Sequence, residues 1–237
     1  MRTIVIAYED DYYEELHLLV KALRQDRVLP GMIVEGRPVR GTGNFVHETP
    51  RLLRTPLKQT KLPPDRVVCL ADADRPQDLV PRAPPAPAGA DSAALDQWVR
   101  VFEASWKDHL VRESKLSEEA ASRLYVCCMR WSKESLLVAC PDALLEHAGG
   151  RRERVRALLD ACVPAPATLS AADFVVSYRK PTECLDRVFQ VIADRHYKKG
   201  RDDEDLLRLR IKPDAARRAE VMSRCPDLGR LLDVLGP

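Results

Sequence analysis

Two carboxylates two residues apart, Asp72 and Asp74, close the run Val67-Val68-Cys69-Leu70-Ala71-Asp72-Ala73-Asp74-Arg75-Pro76. In extended chain, side chains at i and i+2 share a face. The pair therefore offers hard oxygen donors of the kind that Mg²⁺ or Mn²⁺ prefers, and a poor set for zinc. The competing reading gives one Asp to the cap of the next helix and the other to solvent. Glu9 strengthens the metal reading, because it also stands where an apolar strand must stop. A further carboxylate, Glu134, follows a third strand in the same way, and its competing reading is an acidic residue in the first turn of a helix.

The elements that must position these groups are legible as periodicity. Residues 2–8 and 67–71 are continuous apolar or β-branched runs, the pattern of strands buried on both faces of a parallel sheet. Residues 124–129 form a third such run. Leu16, Leu19, Val20 and Leu23 predict an amphipathic helix after the first strand, with Asp10, Asp11 and Glu14 favoured at its start by the helix dipole. A short strand or hairpin is expected around Met32–Val34 and Pro38–Val39. Gly41-Thr42-Gly43-Asn44 reads as a turn before a helix at 45–54, and Arg40 beside it is a phosphate-contact candidate.

The Pro-rich stretch 81–90 is incompatible with helix or inner strand. Leu95, Trp98, Val99, Phe102, Trp106 and Leu110 then predict a helix over 92–113 capped by Asp91 or Ser92, its tryptophans read as core. A short helix is expected after Pro141. The last third is helical, with one helix over 182–196 and two or three more from Leu206, separated at Pro213 and Pro226. Arg195, Lys198, Lys199 and Arg201 cluster after the first of these, as a solvated helix end or a phosphate contact. Arg75, next to Asp74, joins Arg40, Lys198 and Lys199 as a nucleic-acid-binding candidate. Strands alternating with helices imply an α/β fold, a mostly parallel sheet flanked by helices with a helical C-terminal part. Its expected division is residues 1–150 as the α/β domain and 151–237 as a helical extension.

Composition sets outer limits. The 237 residues are 45% hydrophobic and 31% charged, with a formal net charge of +2, so overall charge argues for no particular partner. The absence of a long apolar run or a leader-like N-terminus predicts a cytoplasmic protein without a membrane span. Seven cysteines, with no Cys-x-x-Cys, predict reduced core thiols and no zinc site. The vicinal Cys127 and Cys128 point to opposite sheet faces and read as inert packing.

The order strand-Glu-helix followed by strand-Asp-x-Asp resembles the TOPRIM domain of primases, topoisomerases and the overcoming-lysogenization-defect nucleases. The residues carrying the resemblance are Ile4-Val5-Ile6-Ala7-Tyr8-Glu9 and Val67 to Asp74. The chain is also similar to small standalone bacterial TOPRIM-like proteins, through Arg40-Gly41-Thr42-Gly43-Asn44 and Trp131-Ser132-Lys133-Glu134-Ser135-Leu136-Leu137. Asp10 departs from the glycine that the family usually carries after its first Glu, and Tyr12-Tyr13 intervene before Glu14.

The resemblance implies a metal-dependent nuclease in antiviral defence or genome maintenance, cleaving DNA or RNA with Mg²⁺ or Mn²⁺. Glu9, Asp72 and Asp74 would be metal ligands, and these three with Glu134 the catalytic set. It equally implies an alternative, a non-catalytic binding or sensor subunit of an ATPase-containing defence complex. The chain has no Walker A sequence, so ATP dependence would come from a partner. The sequence leaves room for a homo-oligomer. A phosphatase using Asp72 as covalent nucleophile would need its Asp-x-Asp nearer the N-terminus.

Overall fold

Four segments pair into one sheet in the order β2-β1-β3-β4, every pairing parallel. They are β1 (Ile4–Tyr8), β2 (Val34–Pro38), β3 (Arg66–Asp72) and β4 (Leu124–Met129). The computed structural model describes residues 4–9, 12–29, 34–39, 48–49, 64–73, 75–87, 91–130, 132–162 and 180–236. The expected Gly41–Asn44 turn and most of the 45–54 helix lie outside these residues, as do Arg40, Asp10, Asp11 and Asp74.

The helices are α1 (Glu14–Asp26), α2 (Pro76–Leu79), α3 (Ser92–Ser114), α4 (Glu118–Ser122), α5 (Ser135–Val138), α6 (Pro141–His147), α7 (Arg152–Cys162) and α8 (Pro181–Ala193). Then come α9 (Arg201–Asp203), which runs into a π-helical segment Glu204–Ile211, α10 (Ala215–Arg224) and α11 (Pro226–Val234). The π turn is closed by the Lys212 N–H on the Leu207 carbonyl at 2.8 Å. Its wide turn aligns Leu206 with Ile211, five residues on, and both are buried. Among the described residues no helix is long and apolar enough to cross a membrane.

By internal contacts the chain divides into two compact units. The first comprises Met1–Glu14, Arg24–Arg130 and Arg230–Pro237; the second comprises Glu15–Leu23 and Trp131–Gly229.

The first unit is the sheet with α3. Val5, Ala7, Val67, Cys69, Ala71, Leu124 and Cys128 form one core with Val99, Phe102, Trp106 and Leu110 of α3. Alternate strand residues Ile4, Ile6, Tyr8, Val68, Leu70, Cys127 and Met129 are buried too. Two-sided burial is why these strands read as unbroken apolar runs. Asp91 caps α3, its Oδ1 accepting the Ala94 N–H at 2.8 Å, and Lys115 ends it in left-handed geometry at φ 50. Burial of each large α3 side chain contributes roughly 1.5–3 kcal/mol. Trp98 stacks on Phe102 at 5.7 Å and donates its indole N–H to the Pro84 carbonyl, so α3 also tethers the Pro-rich loop.

Among the described residues β4 is the last strand of the sheet, and at Cys128 its outward backbone groups are satisfied by side chains. The Cys128 N–H donates to Glu103 Oε1 at 2.8 Å, and Arg230 Nη2 donates to the Cys128 carbonyl at 2.8 Å. Glu103 and Arg230 also pair with each other at 3.4 Å. At Cys128 the edge is thereby closed to pairing with another strand.

The second unit is helical. Its interior includes Leu136, Leu137, Val138, Leu144, Val155, Leu185, Val188, Phe189, Leu206, Leu207 and Val221, all at or below 1% exposure. All seven cysteines are free thiols.

Candidate functional site

The C-terminal ends of β1 and β3 are neighbours because these strands pair in parallel, with Tyr8 opposite Leu70. The ladder continues one residue beyond each strand: the Glu9 N–H donates to the Leu70 carbonyl at 3.1 Å, and the Ala73 N–H to the Met129 carbonyl at 2.7 Å. Both strand exits are therefore fixed by the sheet. At this edge Glu9 Oε2 accepts the Asp72 N–H at 2.9 Å. A carboxylate accepting a backbone N–H makes a charge-assisted bond, which orients Glu9 over the end of β3. Glu9 and Asp72 are both partly exposed, so solvent reaches the pair.

An aromatic pair links the end of β1 to the residue just before α1. The Tyr8 and Tyr13 rings lie 4.9 Å apart, and the Tyr13 hydroxyl donates to the Gly36 carbonyl. Burial, with Tyr13 nearby, pushes the Tyr8 phenol well above its ordinary value, so it stays neutral.

The donor set fits a hard divalent cation in kind: two carboxylates at adjacent strand ends, where ligands of parallel α/β sheets bind. Among the described residues no three His, Cys, Asp or Glu side chains gather as an ion-binding group. Asp74, the third expected ligand, lies outside those residues. Arg75 is exposed immediately before α2 and makes no side-chain cap there.

Glu134 belongs to the second unit and is fully buried at the start of α5. Its Oε1 lies 2.9 Å from Lys199 Nζ. Lys133, next to it, is also buried and pairs with the buried Asp203 at 2.9 Å. Asp203 further accepts from the Tyr197 hydroxyl and from the Gly200 N–H at 3.0 Å. Asp202 is held by Arg195 and by the Lys198 N–H at 2.6 Å. Two consecutive buried charges of opposite sign, Lys133 and Glu134, are thus each neutralised by a partner from the segment between α8 and the π-helical stretch.

Of the expected residues, then, the fold brings Glu9 and Asp72 together. Lys199 is engaged with Glu134, and the Lys198 side chain is exposed. Sequence reasoning missed Lys133 and Asp203. The one available signal was the position of Lys133, a lone basic residue shortly after a buried strand and beside Glu134.

No protein-family model and no curated protein matches the chain. Among solved structures, the C-terminal region of the Xanthomonas campestris pv. campestris OLD protein is similar to it, in structures phased with mercury and with platinum. Identity is 16% and the TM-score 0.41 for both. The first alignment covers 98% of this chain and 97% of that one, the second 99% and 95%. Overlap that loose carries no argument about function.

Proposed function

We propose that this chain is a divalent-metal-dependent phosphodiesterase of the TOPRIM type that acts on nucleic acid. The observation carrying the proposal is the placement of Glu9 and Asp72 at the C-terminal ends of adjacent parallel strands, joined through the Asp72 N–H. Asp72 and Asp74 would hold Mg²⁺ or Mn²⁺, and Glu9 would complete the set as a ligand or as the group that moves the proton of the attacking water. The metal, when bound, supplies charge neutralisation at the phosphoryl oxygens and a more acidic water. Carboxylates gathered at one site raise one another's proton affinity, and a bound cation reverses that by adding positive charge. Arg75, Arg40 and Lys198 are proposed to contact backbone phosphates. Work in the cytoplasm, in defence or genome maintenance, belongs to the same proposal.

A second reading is a non-catalytic binding or sensor subunit that relies on an ATPase partner. Two observations favour it: Asp10 stands where the TOPRIM pattern has glycine, and Lys199 already neutralises Glu134. The purified chain, given Mg²⁺ or Mn²⁺ with labelled single-stranded DNA, duplex DNA and RNA, separates the two. Metal-dependent cleavage of any of them by the chain alone supports the first reading. Binding without cleavage, with hydrolysis appearing only on addition of a partner, supports the second.

A further inference from the structure

The chain that leaves β1 carries acids at Glu9, Asp10, Asp11, Glu14 and Glu15, with Tyr12 and Tyr13 set among them. The two aromatics are placed differently. Tyr13 is committed to the fold, its ring 4.9 Å from that of Tyr8 and its hydroxyl donating to the Gly36 carbonyl. Tyr12 is 51% exposed. It is the one exposed aromatic residue among the described residues, since Trp98 is half-buried on Phe102 and Trp106 lies in the core. A fully extended residue spans at most about 3.6 Å, so three residues put the Tyr12 Cα within about 11 Å of the Glu9 Cα. Both flanks are anchored, Glu9 by the Leu70 carbonyl and the Asp72 N–H, and Tyr13 by its contacts with Tyr8 and Gly36.

We propose that Tyr12 is a base-stacking residue that selects single-stranded nucleic acid as the substrate of the Glu9 and Asp72 edge. The assignment rests on the nucleic-acid reading of that edge and adds the class of strand it takes. Tyr12 sets specificity by gripping an unpaired base within a few nucleotides of the phosphate that the carboxylate edge receives.

The local chemistry favours an aromatic grip. A segment this acidic repels a phosphate backbone, so ionic contacts along it do not hold a strand in place. Stacking depends on the face of the ring and the face of the base, and every base offers one, so the contact tolerates any sequence. Bases inside a duplex already stack on their neighbours, and presenting one to Tyr12 costs unstacking and unpairing. An unpaired base carries no such cost. A tyrosine has few rotatable bonds to immobilise, and its anchored flanks reduce the ordering cost of the contact further.

The test titrates the full-length chain into single-stranded DNA and RNA that carry a fluorescent purine analogue, and into the matching blunt duplexes, with Ca²⁺ in place of Mg²⁺ so that binding is read without turnover. Anisotropy gives affinity, and quenching of the analogue reports stacking. The expected result is tighter binding of at least one single strand than of its duplex, with quenching. Tyr12→Ala should weaken that binding about 5- to 150-fold and abolish the quenching, at unchanged duplex affinity and melting temperature. Tyr12→Phe, which keeps the ring, should match wild type. The proposal is overturned if wild type binds neither strand, if Tyr12→Ala stays within about twofold of wild type, or if it weakens strand and duplex equally. Tyr12-dependent quenching together with no cleavage by wild type in Mg²⁺ supports the stacking role while counting against the phosphodiesterase, so the two readings fail separately.

Discussion

The Glu9 carboxylate sits over the end of a neighbouring strand, its Oε2 accepting the Asp72 N–H at 2.9 Å. Sixty-three residues of chain separate the two. Parallel pairing of β1 with β3 removes that separation and delivers both acids to one sheet edge.

A cation that binds the folded chain stabilises it by mass action. Millimolar Mn²⁺ or Mg²⁺ should therefore raise the melting temperature of the wild-type chain, and a chelator should reverse the gain. Asp72→Asn and Glu9→Gln should abolish the metal-dependent shift while leaving the metal-free melting temperature within a few degrees. In the second variant the side-chain amide oxygen still accepts the Asp72 N–H, so the local hydrogen bond survives the loss of charge. Differential scanning fluorimetry across a metal titration reads both effects.

Lys133 and Asp203 form a fully buried pair, so removing one member strands the other charge. Lys133→Met should cost about 3–5 kcal/mol in urea unfolding. Lys180→Met, at the exposed pair with Glu183, should stay within about 1 kcal/mol. Equal effects at the two sites would remove the buried pair from the account of the fold.

Glu103 covers the edge of β4 through the Cys128 N–H and Arg230. Glu103→Ala leaves that N–H and the Arg230 guanidinium without this acceptor, at an expected cost of about 1–3 kcal/mol. Exposure of the edge should also raise aggregation at high protein concentration, which light scattering measures.

His147 packs beside Phe189 at 5.7 Å and its imidazole is held below the ordinary value of 6.5. Burial is the main cause, Arg210 and Arg195 add to it, and Asp205 and Asp202 oppose it. The fold thus favours the neutral ring, while the unfolded chain protonates first as acid is added. Stability from this group is intact above about 6.5 and is lost as pH falls below that value towards the folded one. Denaturation followed from pH 8 to 5 should show this decline, and His147→Gln should flatten it.

The sheet was legible because β1, β3 and β4 carry their burial in the sequence as unbroken apolar runs. α3 was legible because Asp91 and the Leu95-to-Leu110 stripe mark its start and its buried face. β2 was harder: Val-Glu-Gly-Arg-Pro carries no strand pattern, and its identity comes from pairing with β1, Ile4 to Val34 through Tyr8 to Pro38. Residues 34–38 form one continuous strand that contains Glu35-Gly36-Arg37, so the hairpin alternative does not hold. The paired acids Glu9 and Asp72 were readable because both end strands. The partners of Glu134 and Lys133 were not, since Lys199 and Asp203 lie far along the chain and a polar run such as Ser-Lys-Glu-Ser ordinarily faces water. Nor does periodicity at 3.6 residues find a π-helical stretch, whose buried faces recur at wider spacing.

The central claim, that Glu9 and Asp72 serve metal-dependent phosphodiester cleavage, is tested most directly by single-turnover cleavage of labelled nucleic acid with Mg²⁺ or Mn²⁺, comparing wild type with Asp72→Asn and Glu9→Gln. The account predicts chelator-sensitive cleavage by the wild-type chain and a loss of about 100-fold or more in each variant at unchanged folding. Wild-type cleavage rates in both folded variants would contradict it.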